Sequence, residues 1–214
     1  MPRANTSEER RVIRERLIQT GRDRFTVAGL TKTSLSELTK GAGIGKGSFY
    51  SFFDCKEALF LAIVESEETE FRRRLLADIE DANDGRRAVV ILLMAAVQRL
   101  DRHPFMRLLL DVDTLRGLTL RIDPARIRDH RSEDAEFFIG VLRSWQARGW
   151  LRPEIDSTLA FEVLTAMFSM SIQMDLVGRD IVMRAAKEVA EAMAERWCPD
   201  EPHRENPAYP EPDS

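Results

Sequence analysis

The residues best suited to chemistry in this sequence form one short basic and aromatic segment. Lys46, Ser48, Tyr50 and Ser51 lie within six residues, and each carries a hydrogen-bond donor that can reach a phosphate or the edge of a base. Lys46 also adds the positive charge on which phosphate binding depends. This combination indicates binding to a nucleic acid rather than catalysis.

Two short helices are predicted to position this segment. Ser34 begins the first, and Glu37 completes a capping box with it three residues later. Gly43 is placed to adopt the positive φ that commonly ends a helix. The second helix is predicted over residues 46–51. The pattern is that of a helix-turn-helix, whose second helix enters the DNA major groove while the first supports it.

The same stretch resembles the TetR family of bacterial transcriptional regulators. The resemblance is carried by residues 33–38 (TSLSEL), 42–53 (AGIGKGSFYSFF) and 55–59 (CKEAL), preceded by a first helix ending near Gly29. It covers about the first 60 residues. It implies a three-helix DNA-binding domain joined by a long helix to a helical regulatory body. Thr39 and Gly41 replace alanines of the supporting helix, and we expect slightly looser packing there.

Eight residues are predicted to contact DNA. They are Thr33, Gly45, Lys46, Gly47, Ser48, Tyr50, Ser51 and Lys56. The long polar side chains are expected to bind the DNA backbone, and Gly47 to allow close approach. Phe49 either faces the bases or packs inward, and Thr33 either binds a phosphate or acts as a second helix cap. Arg10 and Arg14 of the first helix are further candidates for backbone contacts.

The helix after the helix-turn-helix has its own expected start. Asp54 is predicted to cap it in a second capping box with Glu57, and Lys56 is placed to hold a phosphate in its first turn. Cys55 has two interpretations. It is either a thiolate, favoured by the helix dipole and Lys56, whose oxidation disturbs the recognition helix, or an ordinary residue replacing the serine of the family.

The charge of the chain is divided between a basic start and an acidic remainder. In residues 1–60, Lys and Arg number 11 and Asp and Glu 7, a net +4, whereas the remaining residues carry 21 against 29, a net −8. We therefore expect only the N-terminal part to meet DNA. The two cysteines have no metal or disulfide spacing and no signal peptide is recognisable, which favours a cytoplasmic location. No apolar run is expected to span a membrane.

Helical periodicity predicts an all-α fold of about nine helices. We expect a helix-turn-helix domain over residues 1–55, a helical effector-binding and dimerisation domain over 56–198, and a disordered, acidic, proline-rich tail over 199–214. The helices are predicted at 7–25, 56–81, 86–102, 105–115, 125–149, 157–176 and 180–197, besides those of the helix-turn-helix, with a break at 117–123. The helix at 157–176 is apolar on nearly every side, which suggests that a core and a second subunit cover it.

A set rich in methionine and phenylalanine is the candidate effector pocket, because such side chains adapt to varied apolar ligands. It comprises Met94, Phe105, Met106, Leu109, Asp113, Trp145, Phe161, Leu164, Met167, Phe168, Met170 and Met174. Candidate polar anchors are Arg107, Asp111, Asp113, Arg116 and Gln173. The alternative is that the apolar residues form an ordinary core and dimer interface, with the anchors on the surface.

The sequence therefore predicts a regulator that binds a palindromic operator as a homodimer formed through its last two helices. We expect it to repress transcription and to be released by a small-molecule effector. One alternative is a regulator controlled by a protein partner or by no ligand, and another is a helical enzyme. No phosphate-binding loop, nucleophile elbow or zinc motif is recognisable, so we expect no catalysis, cofactor or metal.

Overall fold

The computed structural model describes residues 7–200, except for the side chains of residues 100–102, 104 and 131. Within that range the chain forms ten α-helices and no strand. They are α1 (Ser7–Lys32), α2 (Leu35–Ala42), α3 (Lys46–Phe49), α4 (Lys56–Glu80), α5 (Gly85–Arg102), α6 (Val112–Arg121), α7 (Pro124–Ala147), α8 (Ser157–Met170), α9 (Met174–Val177) and α10 (Arg179–Trp197), with 3-10 segments at Pro104–Leu110 and Ser171–Gln173. The all-α prediction is confirmed. All but the first two residues of the predicted disordered tail lie outside the described residues.

The N-terminal helices enclose a small aromatic core. Leu17 and Phe25 of α1 meet Leu38 of α2, Phe49 of α3 and Phe60 of α4, and all five are fully buried. Helices α1 and α4 come close together at Gly21, where an added Cβ would lie 2.9 Å from Ile63. The first helix continues beyond its predicted end at residue 25. It bends at Gly29, whose φ of 78° suits glycine, and finishes at Lys32.

A second core fills the remainder of the chain, and α4 contributes to both cores. The first part of α4, from Ala58 to Val64, lies in the N-terminal core. Leu75 and Ile79, further along the same helix, belong to the second core, in which α5 packs against α8 and α10. The division at residue 55 therefore stays a prediction, and α4 is the element that joins the two parts.

The predicted break at residues 117–123 is too long, because α6 runs through Gly117 to Arg121 and only Ile122 and Asp123 separate it from α7. Asp111 starts this helix by accepting a hydrogen bond from the backbone N–H of Thr114 at 2.8 Å. An added Cβ at Gly117 would lie 3.7 Å from Leu30, an ordinary van der Waals distance, so this glycine packs beside α1 without interrupting α6. The helix predicted at 105–115 is likewise replaced by the 3-10 segment and the first turn of α6.

The helix predicted at 157–176 consists of α8, a 3-10 turn and α9. Contrary to the expectation from sequence, Ser157–Val177 is long and apolar enough to cross a membrane, although one such helix is weak evidence for a membrane protein. Only 28% of its most apolar window is buried. Leu159 and Leu176 are 57% and 83% exposed. The described part of the chain therefore presents an apolar surface along α8 and α9.

Candidate nucleic-acid interface

Local hydrogen bonds fix the supporting helix and the turn after it. Ser34 Oγ accepts from the backbone N–H of Glu37 at 3.3 Å, and Glu37 Oε2 accepts from the backbone N–H of Ser34 at 2.8 Å. Gly43 ends α2 with a φ of 73°, a conformation that glycine adopts without a steric penalty. The predicted capping box and glycine turn are both present, and the helix-turn-helix is confirmed.

The recognition helix α3 turns a polar face outward. The helix ends at Phe49, two residues before the predicted end at 51. Lys46 and Ser48 within it, and Tyr50 and Ser51 directly after it, are all exposed, and Tyr50 is 59% exposed despite its aromatic ring. Gly45, the N-cap, and Gly47 are exposed as well, and an added Cβ at either would meet nothing within 4 Å. Six of the eight predicted DNA contacts therefore lie on one accessible surface, which we call the recognition surface and which comprises Gly45, Lys46, Gly47, Ser48, Tyr50 and Ser51.

The structure decides between the two interpretations of Phe49 and shows which contacts Thr33 makes. Phe49 is fully buried and meets the Tyr50 ring edge-on at 5.7 Å, so it anchors α3 to the core. Thr33 is 2% exposed, and its hydroxyl donates to the carbonyl oxygen of Gly29 at 2.8 Å. The Thr33 side chain therefore closes the last turn of α1 and does not lie on the recognition surface.

Lys56 is also turned away from the recognition surface. Its ammonium group donates to the carbonyl oxygens of Leu30, Thr31 and Thr33 at 2.7, 3.0 and 3.1 Å. A lysine has three N–H donors, so these contacts use all of them. Because the last carbonyls of a helix have no partner within it, Lys56 supplies one for the end of α1. The structure thus assigns this lysine a positioning role in place of the expected phosphate contact.

Arg10 and Arg14 hold the chain that leaves the recognition helix. The Arg10 guanidinium donates to the carbonyl oxygen of Ser51 at 2.9 Å and lies 4.9 Å from the ring centre of Phe52. Arg14 lies over Phe53 at 5.3 Å. Such cation–π contacts are favourable. These two arginines connect α1 to the segment after α3, which stiffens the support beneath the recognition surface.

The start of α4 differs from the prediction. Cys55, not Asp54, is its N-cap, and its side chain makes no capping hydrogen bond. Burial is the largest influence on the Cys55 thiol and raises its pKa above the ordinary value. A raised pKa favours the neutral thiol, so it supports the ordinary-residue interpretation over the thiolate. Cys55 and Cys198 are both free thiols.

A cavity of about 550 Å³ lies between α4, α5, α6, α7 and α8, a size within the range of small-molecule sites. It is lined by Leu61, Val64, Glu68, Phe71, Leu75, Leu92, Ala96, Arg99, Met106, Leu109, Leu115, Leu118, Thr119, Ile122, Ile127, His130, Asp134, Phe138, Phe161, Leu164, Thr165 and Phe168. The structure brings five of the predicted pocket residues into this wall: Met106, Leu109, Phe161, Leu164 and Phe168.

The other predicted pocket residues lie elsewhere. Trp145, Met167 and Met174 are buried in the second core, and Met94 and Met170 pack against it. Phe105 is buried in the N-terminal core against Phe60, with ring centres 4.8 Å apart. Asp113 is exposed. The candidate anchors are also outside the cavity wall: Arg107 pairs with Asp175, Asp111 caps α6, and Arg116 and Gln173 are exposed.

Three charged or titratable side chains missed by sequence reasoning meet inside the cavity. Glu68 is only 8% exposed; its Oε1 accepts from Arg99 at 2.8 Å, and its Oε2 lies 2.7 Å from His130 Nε2. Burial opposes ionisation of Glu68, but His130 and Arg99 together hold its pKa below the ordinary value. The contact with Glu68 in turn raises the pKa of His130. We call Glu68, Arg99 and His130 the buried triad.

A signal for the buried triad was present in the sequence. Glu68 follows Val64 by four residues and precedes Phe71 by three, so it falls on the inner, apolar stripe of α4. A carboxylate at such a position requires a buried partner. Arg99 and His130 are 31 and 62 residues away along the chain, and no local pattern connects them to it. Among the residues that the structure describes, no group of three or more His, Cys, Asp or Glu is arranged to hold a metal ion.

The N-terminal part of the chain is similar to known regulators. Residues 17–63 match a family model described as "Bacterial regulatory proteins, tetR family". The repressor NemR of Escherichia coli K12 is 42% identical over 62 residues, which are 29% of this chain and 31% of NemR. The regulator AcuR of Cereibacter sphaeroides is 32% identical over 133 residues, 62% of this chain and 57% of AcuR. This chain thus spans about a third and about half of the length of these two relatives.

The likeness of the fold extends over most of the chain. The crystal structure of a TetR-family transcriptional regulator from Pectobacterium atrosepticum superposes with a TM-score of 0.69 at 21% identity, covering 88% of this chain and 95% of the other. At an identity of 21%, this comparison shows only that the two chains share a fold. It shows that the helical body after α4 has the same architecture as in that regulator.

Proposed function

Because residues 17–63 of this chain are a DNA-binding domain of the TetR family, we propose that it is a transcriptional repressor that binds a palindromic operator as a homodimer and is released by a small molecule. The observation that carries this proposal is the recognition surface. Lys46 and Ser48 of α3 and Tyr50 at its C-terminal end are exposed, and Phe49 anchors the buried side of the helix. This arrangement suits a helix that enters the major groove and binds the flanking phosphates.

A dimer follows from the geometry of such operators. Two recognition helices reach successive major grooves when their half-sites are one helical turn, roughly 34–36 Å, apart. The apolar surface of α8 and α9 supports a dimer, and it continues onto α10, where Ile181 and Val189 are 52% and 38% exposed. Obligate dimer interfaces are typically apolar. We therefore propose that the last helices pair with those of a second copy, and that the regulator acts in the cytoplasm.

The position of the cavity supports control by an effector. Leu61 and Val64 of α4 and Leu118 of α6 line the cavity and also belong to the N-terminal core. A ligand that displaces these side chains therefore acts on the domain that carries the recognition surface. It changes DNA affinity only if it binds the DNA-free arrangement of the dimer more tightly than the DNA-bound one. The competing interpretation, control by a protein partner or by no ligand, leaves this cavity without a use.

The test is a selection of genomic DNA fragments by the purified protein, repeated with Tyr50→Ala. Glu154→Gln, an exposed change in the loop between α7 and α8, is the matched control. We expect the native protein and the control to recover one inverted-repeat motif and Tyr50→Ala to lose it. Recovery of no motif by the native protein, or equal recovery by all three, would contradict the proposal. Adding the chain's effector should then release the recovered fragments.

A further inference from the structure

The 3-10 segment Pro104–Leu110 lies between the cavity and the N-terminal core. Met106 is only 2% exposed, and it belongs both to the cavity wall and to the N-terminal core. Its neighbour Phe105 packs on Phe60 of that core, with ring centres 4.8 Å apart. Because packed side chains leave little free volume between them, a group that displaces Met106 from the cavity side also moves the segment against the N-terminal core.

His103, the N-cap of this segment, connects it to α4 by two contacts. Its ring meets the ring of Phe71 edge-on, with ring centres 6.2 Å apart, and Phe71 lines the cavity. Its Nδ1 lies 3.4 Å from Glu67 Oε2. His103 therefore touches a residue of the cavity wall and a carboxylate that lies outside that wall.

Glu67 continues the connection to the helix that supports the recognition surface. Its Oε1 forms an ion pair with Nε of Arg22 on α1 at 2.6 Å, and the two side chains are only 16% and 31% exposed. An ion pair that is partly shielded from water is stronger than an exposed one. Arg22, Glu67 and His103, which we call the polar link, thus form a continuous connection from the cavity wall to α1.

A crevice beside the polar link leaves space into which α1 can move. It has a volume of about 500 Å³ and lies between α1, α4 and the start of the 3-10 segment. Val27 of α1 lines it and is 88% exposed, so apolar packing does not close this side of the helix. Helix α1 in turn holds the chain after the recognition helix, because Arg10 donates to the carbonyl oxygen of Ser51. A shift of α1 is therefore felt at the recognition surface.

Resting on the regulatory function proposed above, we propose that occupancy of the cavity reaches the recognition surface through the 3-10 segment, the polar link and α1. An occupant that displaces Phe71 or Met106 shifts the segment, and this shift lengthens the contact between Glu67 and Arg22. Helix α1 then loses one of its attachments to α4, and the support beneath the recognition surface loosens. The coupling requires that the segment have two arrangements, which the occupant binds with different affinity.

The test fills the cavity by substitution, so it needs no identified ligand. Ala96 lines the cavity, and Ala96→Phe adds a ring to that wall. Hydrogen exchange is measured by mass spectrometry on the full chain without DNA, with α10 as the reference for global unfolding. Relative to α10, Ala96→Phe should speed exchange of residues 18–28 about threefold or more, and in the Arg22→Met background it should add less than about 1.5-fold. Arg22→Lys keeps the charge and should restore the response.

Ala147→Phe, the same change at the exposed end of α7, is the matched control and should leave exchange of α1 unchanged. Equal acceleration by Ala96→Phe in the native and Arg22→Met backgrounds, or none in the native background, would overturn the proposal. If Ala96→Phe fails to fold, Thr165→Phe fills the cavity from its exposed rim, and the same outcomes apply. Operator affinity is measured separately. If exchange responds as expected but operator affinity does not change, effector control fails and the polar link stands.

Discussion

The ammonium nitrogen of Lys56 lies 2.7 Å from the carbonyl oxygen of Leu30, in the last turn of α1. The two residues are 26 positions apart in the sequence, yet their contact joins the start of α4 to the end of α1. Since the same nitrogen also contacts Thr31 and Thr33, a positive charge is placed at the negative end of a helix dipole. Lys56 therefore helps to fix the orientation of α1 relative to α4, and we expect any effect on DNA binding to act through that orientation.

Lys56→Met should lower the free energy of unfolding by about 1–2 kcal/mol, because it leaves two carbonyls in the last turn of α1 and the carbonyl of Thr33 without a charged donor. Operator affinity should fall with it, but the dependence of log affinity on log salt concentration should keep its slope. The measurements are urea unfolding and operator binding at several salt concentrations. Lys46→Met is the control: it should keep stability within about 0.5 kcal/mol and reduce the slope by about one phosphate contact. A reduced slope in Lys56→Met would show instead that Lys56 binds phosphate.

Substitutions at the neighbouring residues Phe49 and Tyr50 should have opposite effects: one should change stability and the other operator binding. Phe49→Ala removes a fully buried ring and should lower the free energy of unfolding by about 3–5 kcal/mol. Tyr50→Phe removes only a hydroxyl on an exposed side chain, so stability should change by less than about 0.5 kcal/mol while operator affinity falls. Thermal unfolding and operator binding of the two variants separate the roles. If Tyr50→Phe lowered stability, or left operator affinity unchanged, Tyr50 would not have the DNA-binding role proposed for it.

Gly41 of α2 lies beside the side chain of Thr20 on α1. A Cβ added at Gly41 would lie 2.4 Å from Thr20 Cγ2, so Gly41→Ala should be destabilising by about 1–3 kcal/mol despite the better helix propensity of alanine. Thr20→Ala removes the atoms in conflict. In the double variant the two effects should therefore be strongly non-additive, because an alanine at position 41 is tolerated once the side chain at position 20 is small. Additive losses in a urea double-mutant cycle would argue against this contact.

The helix-turn-helix was predictable because the sequence signals that specify it lie close together in the chain. Ser34, Glu37 and Gly43 specify the start of α2 and the turn after it within ten residues, and no distant contact overrides them. The exposure of Tyr50 and the burial of Phe49 follow the same helical period, although the sequence left Phe49 open. The recognition surface is thus determined largely by consecutive residues.

Features that depend on packing between distant segments were not predictable in this way. Gly117 looks like a helix breaker, but it lies inside α6, beside Leu30 of α1. Lys56 has the composition of a phosphate ligand, and only the fold brings it to the end of α1. The buried triad joins three helices, and sequence reasoning placed neither Arg99 nor His130 in the cavity. Because the pocket residues were chosen by residue type alone, the predicted set combined residues of the cavity wall with residues of the hydrophobic cores.

The contact between His130 and Glu68 makes stability depend on pH. The pKa of His130 is raised from the ordinary 6.5, with Glu68 as its largest cause and Glu65 and Asp134 as smaller ones. A group whose pKa is raised by folding stabilises the native state below the unfolded-state pKa, and this contribution is lost as pH rises through the folded-state pKa. The difference in free energy of unfolding between native protein and His130→Gln should therefore be largest below pH 6.5, about 1–2 kcal/mol, and should shrink above the raised pKa.

The measurement is urea unfolding of both proteins at half-unit steps from pH 5.5 to 9. Titration of Glu68 does not interfere in this pH range. Its pKa is lowered from 4.5, so its own contribution to stability is lost only at lower pH. Glu68→Gln is the matched control, since it removes the main cause of the raised pKa and should flatten the difference that His130→Gln produces. A difference that stays constant across the window, or that grows as pH rises, would mean that His130 does not gain its proton affinity from Glu68.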